Sequence, residues 1–172
     1  MKYKFLSIGA TLFISVMFLS CSSDDGDQCP PDFTGDITSE EEKLVGVWEL
    51  SSMVAADELD LTDDGVDNPS TDIYNQYADC QQDAVYTFGA QRIYGYEEGE
   101  NAQSCDAQIQ IEGTWELVSG TLRLTSSCSI QSTSVVFNDN DTTFTLSQIF
   151  NVRDVSGVVS QTSIDFTYSL VP

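Results

Sequence analysis

Gly46-Val47-Trp48-Glu49-Leu50 returns later in the chain as Gly113-Thr114-Trp115-Glu116-Leu117. Each copy lies in a run where apolar and polar residues alternate, and a period of two sends successive side chains to opposite faces of a β-strand. In the second copy Ile109, Ile111, Gly113, Trp115 and Leu117 share one face, and Gln108, Gln110, Glu112, Thr114 and Glu116 share the other. The first copy gives an inward row of Leu44, Gly46, Trp48 and Leu50, with Glu49 outside. Both segments are expected as core strands, each with an inward Trp beside a Gly that leaves room for something to pack closely.

Working outward, the first strand is expected over residues 43–54. An irregular insert over 55–82 follows, carrying Asp57, Glu58, Asp60, Asp63, Asp64, Asp67 and Asp72. Further strands are read at 84–88 and 92–96, joined by Gly89-Ala90-Gln91, then at 108–118 and, after the turn Ser119-Gly120, at 121–125. The remaining alternating runs lie at 133–137, 143–150 and 163–170, with Asn138 to Asp141 suited to a turn. About eight strands on short connections and no long helix give an all-β class, either an up-and-down barrel or a sandwich. Closure removes exposed sheet edges, and an eight-stranded barrel is filled by side chains or encloses one small ligand. Ser39 with Glu42 fits a capping box, so a short helical turn is expected to lead into the first strand and close one end.

The first residues read as an exported leader: Lys2 and Lys4 precede an uncharged apolar stretch from Phe5 to Leu19, too short to span a bilayer comfortably. Phe18-Leu19-Ser20-Cys21 resembles a bacterial lipobox, which implies cleavage after residue 20 and a lipid (palmitate) on Cys21. The division is therefore a signal peptide at 1–20, a flexible acidic tether at 21–39 and a β-domain at 40–172. Without the leader, four basic residues stand against 28 acidic ones, a net charge of −24. That balance repels nucleic acid and anionic lipid, so the lipid on Cys21 must hold the protein at the membrane.

The chain has no His, which excludes Ser-His-Asp triads, Cys-His dyads and His-ligated zinc, and removes the commonest general base. Asp60 to Gly65 offers the first half of a calcium loop, but Thr62 and Thr71 stand where the EF-hand template needs ligands. No metal and no cofactor is nominated. Four cysteines follow Cys21, and an even count in an exported chain points to disulfides of three possible connectivities. Cys80 with Cys105 is favoured because both flank one two-strand segment, and Cys29 with Cys128 follows by elimination. Glu49 and Glu116 lie on outward rows, so no catalytic residue is nominated and an enzyme is not expected.

Leu44-Val45-Gly46-Val47-Trp48, Cys80 with Asp83 and Tyr86-Thr87-Phe88, Cys105 ahead of Gly113-Thr114-Trp115, and Leu122-x-Leu124 together resemble the lipocalin-like domains of Bacteroidetes lipoproteins. Ser22-Ser23-Asp24-Asp25 resembles the acidic tag that follows the lipidated Cys in such proteins when they are displayed on the outer membrane. The resemblance covers about residues 40–171. It implies a lipocalin-like barrel, a Cys80–Cys105 bond and an outer-membrane address, without naming a substrate.

The leading expectation is a lipid-anchored barrel holding a small apolar or amphipathic molecule, with Trp48, Trp115, Tyr86 and Phe88 as binding candidates. The alternative is a solid platform without a lumen ligand, whose insert or whose Tyr74, Tyr77, Tyr94 and Tyr96 contact an unknown protein partner. A long inward row including Ile109, Ile111, Phe144, Leu146, Phe150, Ile164, Phe166, Tyr168 and Leu170 favours a filled interior.

Overall fold

The computed structural model describes residues 29–103 and 105–172. The expected leader, Cys21 and the acidic tag expected after it lie outside the described residues. The fold is a barrel of antiparallel strands: β1 (Gly46–Leu59), β3 (Val85–Phe88), β4 (Ile93–Glu98), β5 (Ile109–Val118), β6 (Thr121–Ser126), β7 (Ser129–Phe137), β8 (Thr143–Arg153) and β9 (Val159–Leu170). Each pairs with the next, and β9 returns to β1, with Trp48 opposite Leu170 and Leu50 opposite Tyr168. The ring of eight is closed, and β2 (Ser70–Asp72) adds an outer strand on β1.

Strand β1 runs five residues past the expected end at Val54. Its register against β9 shifts between Leu50 and Ser52, a bulge that changes which residues face inward. Before it the buried residues are Trp48 and Leu50, and after it they are Met53 and Ala55, while Val54 faces out. This one-residue slip moves the inward row from the even positions Trp48 and Leu50 to the odd positions Met53 and Ala55.

One end of the barrel is sealed. Trp48, Phe88, Trp115 and Phe144 are fully or almost fully buried there with Leu44, Leu117 and Leu122. Trp48 meets Phe144 edge-on at 5.0 Å and Phe88 meets Trp115 edge-on at 5.3 Å, the geometry aromatic quadrupoles favour. Each indole N–H donates to a carbonyl, Trp48 to Leu44 at 2.7 Å and Trp115 to Gly89 at 3.1 Å, so neither leaves a polar atom unpaired. The space beside each Gly is taken by the protein's own chain. A Cβ on Gly113 would lie 1.9 Å from the Thr125 carbonyl oxygen, and one on Gly46 would lie 2.7 Å from the Leu170 side chain.

A 3₁₀ turn, Glu41–Lys43, plugs this end. The reciprocal capping bonds are made by Thr38 and Glu41, one position before the expected Ser39 and Glu42: Thr38 N–H donates to Glu41 Oε2 at 2.7 Å, and Glu41 N–H to Thr38 Oγ1 at 3.3 Å. That shift turns Glu41 into the core. It is 1% exposed, forms an ion pair with Arg92, and accepts the Leu117 N–H at 3.2 Å. Arg92 also donates to the carbonyls of Gly35, Asp36 and Trp115. From the sequence Arg92 is expected only as the first residue of the strand at 92–96.

The expected flexible tether is ordered over its described part. Cys29 is bonded to Cys128, Phe33 N–H donates to Thr114 Oγ1 at 3.0 Å, and Arg123 lies over the Phe33 ring. Residues 29–40 therefore run as a strap along the wall formed by β5 and β6. Both disulfides have the expected pairing, Cys29–Cys128 and Cys80–Cys105.

Candidate functional site

Above the aromatic plug the barrel opens. Strands β7 and β8 share only a short ladder, Val135 to Phe137 against Leu146 to Phe144. Beyond it residues 129–134 pair with β6 and residues 147–153 pair with β9, so the two strands part toward the open end. A cavity of about 780 Å³ occupies this end, within the size range of small-molecule sites.

Its walls come from four places. Strands β8 and β9 supply Leu146, Gln148, Phe150, Val152, Ile164, Phe166 and Tyr168; β1 supplies Leu50 and Met53; β4 supplies Tyr96 and Glu98. The fourth wall is the insert. There Tyr74, Asn75 and Gln76 form a 3₁₀ turn, α1 spans Asp79–Gln82, and Leu61, Gln76, Tyr77, Ala78 and Gln81 face the cavity. The insert is held by its own polar bonds. Gln76 accepts the Leu61 N–H at 2.7 Å and donates to the Leu59 carbonyl at 3.1 Å; Gln82 donates to the carbonyls of Tyr74 and Tyr77; and the buried Ile73 donates its N–H to the Met53 carbonyl.

Two devices fix α1 at the rim. The Cys80–Cys105 bond ties it to the loop after β4. Asp83, directly after α1, accepts the backbone N–H groups of Gly99, Asn101 and Ala102 in that loop at 2.7–2.8 Å. Burial works to raise the Asp83 pKa, but the amides of Gly99, Ala102 and Asn101 together carry it below the usual carboxylate range.

Three phenols, Tyr77, Tyr96 and Tyr168, are among the polar groups of the cavity. Tyr96 donates its hydroxyl to Glu98 Oε2 at 2.6 Å. Burial, then this bond and the Glu98 charge, push the Tyr96 phenol well above its ordinary range. Burial raises Tyr77 as well. Tyr168 is 4% exposed, and burial with Tyr86, Tyr96 and Glu98 around it raises its pKa strongly. Its hydroxyl has no hydrogen-bond partner among the described residues.

The binding candidates read from sequence lie elsewhere. Trp48, Trp115 and Phe88 belong to the sealed plug and do not line the cavity. Tyr86 lies beneath the cavity floor, 4.8 Å from Tyr96 and 5.1 Å from Tyr168 between ring centres, with its pKa pushed up to about 12 by burial and by Tyr94. Ile109 and Ile111, expected in the core, are 41% and 38% exposed on the part of β5 beyond the plug, and they do not line the cavity. Phe150 lines the cavity and is 38% exposed. The tyrosine surface imagined for a partner is not formed: Tyr94 is buried, Tyr96 faces the cavity, and Tyr74 donates to the carbonyls of Leu50 and Gln82.

Of the acidic groups, Asp60 accepts Thr62 N–H and hydroxyl and Asn68 N–H, so its oxygens serve the loop itself. Glu116 pairs with Arg123 across the outer face of β5 and β6. The signals for the cavity were present but divided between Tyr96 and Glu98 in one hairpin, Phe166 and Tyr168 in another, and an insert without periodicity.

Fold and site together define a cup: an eight-stranded antiparallel β-barrel, plugged at one end and hollow at the other. The chain belongs to the family described as Domain of unknown function (DUF5004), whose sequence profile matches residues 22–171. Comparison with curated proteins gave no match.

Proposed function

We propose that this protein is a lipid-anchored, lipocalin-like barrel of the outer membrane that holds a small apolar or amphipathic molecule in the cavity at its open end. The observation that carries the reading is the cavity itself, of about 780 Å³, with Met53, Leu146, Ile164 and Phe166 on its walls and polar groups among them. Apolar walls with a few placed polar groups are the usual make-up of a small-molecule site.

The anchor side supports the same reading. Cys128 lies in the turn between β6 and β7, at the open end, and its bond to Cys29 fixes the start of the strap there. Cys29 lies eight positions after Cys21, a reach of at most about 30 Å. A lipid on Cys21 then holds the mouth toward the membrane, where amphipathic molecules partition.

Binding is tested with the neutral polarity-sensitive dye Nile red on the full mature domain. Saturable enhancement is expected, and Ala78→Trp with Gln148→Trp, two exposed positions at the mouth, is expected to weaken it at least tenfold without lowering Tm. Enhancement that never saturates, or that ignores the blocked mouth, contradicts the reading.

A further inference from the structure

We propose that the molecule held in this cavity is an amphiphile whose polar end is a protonated amine. The inference rests on the cavity being a ligand site and adds the chemistry of the head group.

The polar inventory of the walls leads to it. Gln76 is consumed by Leu59 and Leu61, and Arg153 is exposed at the rim with its guanidinium donating to the Gly157 carbonyl at 3.0 Å. Tyr96 spends its one proton on Glu98 Oε2. Gln81, Gln148 and Asn151 are exposed at the mouth. Deeper in, Glu98 Oε1 accepts no hydrogen bond, and the hydroxyls of Tyr77 and Tyr168 have no partner, among the described residues.

A protonated amine matches this set. It brings two or three N–H donors and one positive charge to a carboxylate and a phenol oxygen, and charge-assisted bonds of this kind are among the stronger ones. Tyr96, Phe150, Phe166 and Tyr168 add aromatic rings, whose faces attract a cation. A carboxylate head would meet Glu98 as a like charge. A neutral alcohol would satisfy Tyr168 but leave the charge uncompensated. The apolar remainder of the ligand has Met53, Leu146, Val152 and Ile164 to lie against.

The test compares octylamine, octan-1-ol, octanoate and octyltrimethylammonium by displacement of Nile red from the mature domain. Octylamine is expected to bind at least tenfold tighter than octan-1-ol, with octanoate weakest. Glu98→Gln should erase the preference, whereas Glu97→Gln, the same charge change on an exposed neighbour, should keep it. Tyr168→Phe should weaken octylamine several-fold and leave octyltrimethylammonium, which has no N–H, unchanged. Equal binding of amine and alcohol to the unaltered protein overturns the amine assignment alone, as does a preference that survives Glu98→Gln. Failure of all four to displace the dye removes the ligand-site reading and this inference with it.

Discussion

Gly113 marks the closest approach of the barrel wall to itself. Its missing side chain lets the Thr125 carbonyl come to where a methyl would lie, 1.9 Å from a built Cβ. Gly113→Ala must part β5 from β6, and a loss of about 3 kcal/mol or more is expected by denaturant unfolding. Glu41 is the other residue on which the closed end depends. Removing its side chain strands Arg92 under the plug, and Glu41→Ala is expected to cost about 3–5 kcal/mol. The pH dependence has a definite sign. Burial acts to raise the Glu41 pKa, yet Arg92, Thr38 and Leu117 carry it below its ordinary value. Asp83 is lowered too, despite its burial, by the amides of Gly99, Ala102 and Asn101. A carboxyl with a depressed folded pKa contributes stability above its unfolded value, and that contribution is lost as pH falls through the folded value. Tm is therefore expected to hold near neutrality and to fall below about pH 4, with a shallower fall in Asp83→Asn.

Among the elements, the Trp-bearing strands were the most legible in the sequence, because burial on one side and solvent on the other leaves a period of two in the residues themselves. The order of strands and both disulfide pairings followed from short connections and the positions of Cys80 and Cys105. The bulge near Ser52 was hidden because a slipped register looks like the end of a strand. The insert was hidden for another reason: Ile73, Gln76 and Gln82 are fixed by single side-chain bonds to backbone, which carry no periodic signature. The cavity was illegible because Phe150 and Trp115 have the same apolar pattern, although the barrel is hollow at one and filled at the other. The Cys80–Cys105 bond closes 25 residues and holds the insert to the loop after β4. Its removal by paired Ser substitution is expected to cost about 3.5 kcal/mol in the chain-entropy account. Hydrogen exchange should then rise first in residues 73–82, while β5 and β6 stay protected.

At the scale of the molecule, the protein is a strongly acidic cup whose strap fastens at the mouth and whose buried ion pair lies at the base. The seal leaves the cavity in the upper half of the barrel, between β1, β4, β8, β9 and the insert. Methyl-resolved NMR of residues 21–172 titrated with octan-1-ol tests this directly. The account predicts saturable shifts at Met53, Leu146 and Ile164, which line the cavity, and none at Leu44, Leu117 and Leu122, which pack the base. Shifts at the base, or no saturable shift at the cavity methyls, would contradict it.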